Sequence, residues 1–430
     1  MRWRMDYPKL EVFQYDTLFL LSAPIMGHHG QSFNRVQKVV MNCDVIVLGG
    51  GLVGGATALA LAKSGLKVVV LDQVDPSSLA SAASDGRTTA IALGSCHYLE
   101  SLGLWHPLHA HAEPITEIYV TTQGSSAHLH YGAKESDGKP LGFIVDNWRL
   151  RTATLEQVKN HPHITLIAPD HMQDLHETET HVEIQTQSGV VLKAPLCVVA
   201  EGRGSATRQR LGITTKSVPY HQTALVAIVG HTRDHEGAAY EHFLPTGPFA
   251  LLPMPGKRST LVWSCTTALA ERLQSLSPDQ FAAEMQQVFG PTLGDLSLES
   301  QIWAYPLVAQ LPKTILKGRF VLIGDAAHVM HPVAGQGFNL GLRDTYELAK
   351  TLAETHALGL DPMTQMQAYA RTRQMDTYSM LGITHGLIRL FSNNAKSVGL
   401  LRGLGLGLVN RIGPVKRLLA RHAMGLREGA

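Results

Sequence analysis

The sequence predicts an α/β protein: a Rossmann-like nucleotide-binding domain with an inserted β-sheet domain and a helical C-terminal region. Three observations predict it. The short apolar run of residues 44–48 is followed at once by a glycine cluster, an alanine-rich stretch and a second apolar run, which is the order of a βαβ unit. Strand and helix signals then alternate, but a strand-rich middle interrupts them. From about Gln336 onward the pattern is mostly helical.

Taken in order, residues 1–42 carry neither a helical period nor strand alternation, and Met41 reads as a native start. They are expected to be a poorly ordered N-terminal extension. A helix is predicted over 53–64, ended by Gly65 in the left-handed stop position, and a strand over 67–72. A loop rich in Ser and Ala (76–84) leads through Asp85, Gly86 and Arg87 to a short helix over 95–102, closed by Gly103. Strands follow at 115–122 and 128–131, a helix at 150–159, and strands at 164–168, 181–187 and 191–200. The middle gives strands at 223–231, 249–253 and 260–266 and a helix at 278–289. A buried strand at 319–323 precedes the helical remainder.

At 430 residues and 44% apolar composition the chain can fill a large core. A formal net charge of +2 leaves no general footprint for nucleic acid. The charge is uneven, however: eight basic residues against Glu428 give +7 over residues 389–430, and −5 over the rest. Four scattered cysteines without a CxxC fit a reducing cytosol and suggest neither a disulfide framework nor a metal site. No apolar run reaches the roughly 18 residues of a membrane span.

Three motifs carry chemistry. Gly49, Gly51 and Gly54 form a GxGxxG turn between strand and helix. They allow a tight turn, close approach of a pyrophosphate and close helix packing, while Asp72 ends the next strand, placed for an adenosine ribose. This turn alone does not separate NAD from FAD. The second motif is Gly324 and Asp325 at a strand end, followed by Pro332, Gly335, Gln336, Gly337, Phe338 and Asn339 at a helix start. The third is Glu201 and Gly202 after the strand of residues 191–200. His328 and His331, three apart, lack a suitably spaced third ligand and are not read as a metal pair. Cys197 reads as a small core hydrophobe, and Trp303 and Tyr305 as packing residues.

In this order and at these separations the motifs resemble the FAD-dependent aromatic-ring hydroxylases, whose flavin domain is glutathione-reductase-like. Residues 85–90, 147–155, 305–307, 331–344 and 423–425 are most similar to the ubiquinone-biosynthesis ring hydroxylases. The resemblance implies FAD, held by Gly49, Gly51, Gly54, Asp72, Arg87, Glu201, Asp325, Phe338 and Asn339. Glu201 stands where that family usually has Asp. It implies a polyprenylated phenol and O2 as substrates, hydroxylated through a flavin C4a-hydroperoxide, with NAD(P)H or a redox partner protein as electron donor. Another phenolic substrate, or reduction of a prenyl chain, remains an alternative. Catalytic roles fall on Pro332, which fixes the turn beside the ring, and on Gly335, Gln336 and Gly337, with the backbone N–H groups around Gln336, Gly337 and Phe338 at the helix start stabilising negative charge on the flavin. The implied organisation is a discontinuous FAD-binding domain (43–115, 145–215, 300–385), a substrate β-sheet domain (116–144, 216–299) and a basic helical region (386–430). The expected location is cytoplasmic, with peripheral contact to the inner face of the membrane and a place in a ubiquinone-biosynthesis complex.

Overall fold

The computed structural model describes residues 39–75, 78, 86–124, 128–132, 136–332 and 335–391. Its centre is a parallel sheet in the order Phe320–Leu322, Leu196–Val199, Val45–Leu48, Val68–Leu71, Ile164–Ile167, with Leu316–Lys317 antiparallel at one edge. Val45–Leu48, Val68–Leu71 and Leu196–Val199 are buried at every residue, as strands covered on both faces must be. Helix Leu52–Lys63 lies along helix Gln336–Ala357, and the two are tied by a 2.8 Å hydrogen bond between the hydroxyls of Thr57 and Thr345. A four-stranded sheet shares this core through Val182, Ile184, Leu192 and Ala194. Cys197 is fully buried in it, and burial pushes its thiol well above the ordinary range.

Two expectations about strands need correction. The predicted strand 191–200 is two strands, Val191–Ala194 in the four-stranded sheet and Leu196–Val199 in the parallel one. Pro195 between them has no N–H to give to a ladder, so one continuous strand is not available there. Residues 40–42 of the expected extension form a strand, Val40–Asn42, paired in parallel with Val191–Ala194. It is held by backbone pairing, so its side chains need show no alternation. Residues 1–38 lie outside the described residues, as does the basic segment from residue 392 onward.

The second body is one long sheet in the order Leu296–Leu298, Thr215–His231, Arg258–Thr266, Gly247–Met254, Ala238–Leu244, Glu117–Thr122, Leu129–Tyr131, with Trp303–Pro312 also on Thr215–His231. The 17-residue strand Thr215–His231 begins well before the predicted 223. Its early half is polar and interrupted by a register shift between Pro219 and Thr223, with His221 at a φ of +55°. Trp303–Pro312 pairs within this sheet, whereas the sequence organisation expects residues 300–385 on the FAD side. One face of the sheet is covered by helices Thr267–Gln274 and Pro278–Phe289, the latter opened by a capping box of Ser277 and Gln280. The other face turns toward the strands Thr88–Ala92 and Gly142–Asp146 of a small three-stranded sheet.

Candidate active site

The three motifs meet at the C-terminal ends of the parallel strands. Gly49 has a φ of +98°, and a Cβ there would stand 2.5 Å from the carbonyl oxygen of Ala200, so the first turn and the strand carrying the third motif touch through backbone. A Cβ on Gly54 would stand 1.9 Å from the carbonyl oxygen of Gly49, which lets the helix pack onto the turn. Gly51 differs: nothing lies within 4 Å of its Cβ position, and as N-cap it leaves the helix start without a side-chain cap. Asp72 accepts from the N–H of Gly50 at 2.5 Å and of Val74 at 2.7 Å. Its carboxylate therefore braces the turn from the next strand.

Val53 joins the first motif to the second. Cβ atoms built on Gly324 and Gly341 would both press on its side chain, at 3.2 Å and 2.7 Å. The helix Gln336–Ala357 starts at Gly335, which is left-handed (φ +61°), packs against Ala90 and offers no side-chain cap. Nothing lies within 4 Å of a Cβ at Gly337. The open positions at Gly51 and Gly337, each at an uncapped helix start with its partial positive charge, fit the pyrophosphate and the electron-rich end of a flavin. Asn339 spends its amide on protein: it donates to the carbonyls of Ala90 (2.9 Å) and Gly335 (3.1 Å) and accepts from the N–H of Ala92 (2.9 Å). It positions the helix start. Gln336 is buried, Phe338 packs on the core and Pro332 is exposed.

Asp325 is exposed to solvent yet crowded by protein. Desolvation raises its carboxyl above the ordinary value, opposed by His328, Arg87 and Arg203. Arg87 lies over the ring of Tyr305, 5.3 Å from its centroid, and a Cβ on Gly86 would fall 1.8 Å from the ring of Trp303. Trp303 and Tyr305 thus pack as read, but against the loop that the motifs assign to the cofactor. Glu201 turns its carboxylate to its own turn, accepting from Ser205 Oγ (2.5 Å) and from the N–H (3.0 Å) and hydroxyl (2.9 Å) of Thr207. Arg208, buried, donates to the carbonyls of Ala326 (2.8 Å) and Arg203 (2.6 Å), tying the third motif to the second.

Sequence reading missed the buried network behind Asp325. His328 Nε2 meets Asp344 Oδ2 at 2.6 Å, Gly324 N–H donates to the same oxygen at 2.9 Å, and Arg373 Nε donates to Asp344 Oδ1 at 2.7 Å. Burial would raise Asp344, but His328 and Arg373 hold it below the usual carboxylate range. Burial would likewise lower His328, and Asp344 overcomes this and raises it. The 16- and 29-residue separations follow no local pattern that a sequence could display. His331 points elsewhere, to Gln222 at 3.3 Å and edge-on to Tyr220, and burial lowers it to about 4.

Residues 42–378 match the model of the FAD binding domain, and the chain belongs to that family. FAD is its cofactor, and it is an FAD-dependent monooxygenase. The chain is 45% identical over 384 residues to a ubiquinone hydroxylase of Rhodospirillum rubrum, covering 89% of each. It is 32% identical to 3-demethoxyubiquinol 3-hydroxylase of Escherichia coli, covering 89% of this chain and 98% of that one. Among solved structures, p-nitrophenol 4-monooxygenase of Pseudomonas putida shares the fold, with a TM-score of 0.74 at 17% identity, over 91% of this chain and all of that one. Among the described residues no helix is long and apolar enough to cross a membrane.

Proposed function

We propose that this monooxygenase hydroxylates the aromatic ring of a polyprenylated phenol in ubiquinone biosynthesis. The observation behind it is the meeting of three glycine-bearing turns at the strand ends, with the Gly86–Arg87 loop lying against Trp303 and Tyr305 of the long sheet. The names of the relatives from Rhodospirillum rubrum and Escherichia coli support the same reaction. When bound, FAD supplies the activation of O2. The chain's own residues do the rest. Gly49, Gly51 and Gly54, braced by Asp72, receive the pyrophosphate, and Asp325, Arg87 and Glu201 line the approach to the ribityl chain. Phe338 and Asn339 fix the helix start from which the N–H groups of Gln336 and Gly337 face the ring. Pro332 and Gly335 set the turn beside it, and the long sheet covers the site and excludes water.

On this reading residues 43–115, 145–215 and 300–385 hold FAD in a glutathione-reductase-like domain, and 116–144 with 216–299 hold the substrate. Reducing equivalents come from NAD(P)H or a redox protein. The basic region 386–430 brings the enzyme to the inner membrane surface, where a polyprenylated substrate resides and a biosynthetic complex can assemble. The test is complementation of strains each lacking one quinone-ring hydroxylase, with mass spectrometry of the intermediates. Restored ubiquinone in one strain is expected. No restoration in any strain, with yellow FAD-loaded protein present, would overturn the reading.

A further inference from the structure

The long sheet places one carboxylate where its inner face should be apolar. Register aligns Val120, Glu241, Ala250, Val262, Val226 and Trp303 across the sheet in one row. Ala239 and Leu252, on the same side of their strands as this row, sit in a cluster with Ala90 and Ile144. The row therefore faces the strands that carry the Arg87 loop, and at its far end the ring of Trp303 meets Gly86. Although they lie well inside the sheet, Val120, Val262 and Glu241 are only partly buried. Their partial accessibility, beside the buried Ala250 and Val226 of the same row, leaves this part of the face open to a small molecule.

Glu241 has no hydrogen-bond or ion-pair partner among the described residues, and its neighbours in the row are alanine and valine. Burial pushes its carboxyl up to about 7. A carboxylate so placed is costly unless something supplies a donor. Two residues beyond Val262 on the same face, Ser264 Oγ is also buried, with no hydrogen-bond partner among the described residues. A ligand with an apolar body and an O–H at one edge, such as a phenol, would satisfy the row.

We propose that Glu241 accepts a hydrogen bond from the ring hydroxyl of the substrate and selects phenols over their ethers, an assignment that rests on the phenol-hydroxylase reading. A charge-assisted hydrogen bond of this kind is worth a preference of tenfold or more. The test is titration of FAD-loaded protein with 2-prenylphenol and with its methyl ether, followed by the flavin's visible spectrum, in wild type, Glu241→Gln and Glu241→Leu. Wild type is expected to prefer the phenol at least tenfold. Glu241→Leu should lose that preference while keeping its affinity for the ether, and Glu241→Gln, which preserves shape, should lose part of it. Preference unchanged in both variants overturns the assignment, as does an equal loss of both probes, which marks a structural role. If wild type binds neither probe, the phenol reading itself fails and the assignment with it.

Discussion

The two faces of the long sheet are made by alternate residues of the same strands, and they differ most around Glu241. On one, Leu225, Ala227, Phe249, Leu251, Leu261 and Trp263 are sealed beneath Phe281 and Met285 of the covering helices. On the other, Val262, Leu252 and Ile228 stay partly accessible, and Glu241 stands among them with no partner among the described residues. The difference teaches where the energy of this fold resides. The helix-covered face is packed for density, and the face turned to the FAD loops is packed less completely around Glu241, as the proposed substrate contact requires.

The largest expected effect breaks the packed face. Phe281 is fully buried, so Phe281→Ala should cost about 3–5 kcal/mol in urea unfolding. The KM of the protein that remains folded should hardly move. A KM change as large as the stability loss would mean that the two faces are not independent.

The next effect sharpens the contrast through pH. Glu241 is raised from 4.5 to about 7 in the folded protein by burial. As pH rises through that window the unfolded chain releases a proton that the folded protein retains, so stability falls between about 4.5 and about 7 and is level above. The loss is on the order of 3 kcal/mol. Glu241→Gln should therefore be more stable than wild type in urea above pH 7 and no more stable below pH 4.5. An advantage that does not vary with pH would show that Glu241 is ionised at an ordinary value.

The smallest effect concerns a carboxylate on the FAD side that does have partners. Glu201→Ala leaves the N–H and hydroxyl of Thr207 without their acceptor and should cost about 1–2 kcal/mol, as the loss of a helix cap does. Glu201→Asp should retain most of the stability and FAD occupancy, because Ser205 and Thr207 sit on a short turn able to close on a nearer carboxylate. Equal losses in the two variants would contradict this.

Where a property is local, the sequence displays it. The buried strand Val45–Leu48, the glycines at 49, 51 and 54, and helix Pro278–Phe289 were each readable from contiguous residues. The α/β class followed from the first two, and the cofactor from the motif at Gly324, Asp325 and residues 332–339 with the family resemblance; both are borne out. What was not readable depends on pairing at a distance. The strand Ala238–Leu244 escaped notice because Glu241 and His242 break its apolar pattern. Only register with Val120 and Ala250 tells which face Glu241 occupies. The same holds for Asp344, whose partners His328 and Arg373 come from separate elements.

The most direct measurement is the source of the oxygen in the product. FAD-loaded protein, a reductant and 2-prenylphenol are incubated under oxygen-18 gas in ordinary water, and the product is weighed by mass spectrometry. The account predicts a ring-hydroxylated product that carries one oxygen-18 atom, formed in proportion to the oxygen consumed. A product labelled from water, or a reduced prenyl chain formed without oxygen uptake, would contradict it.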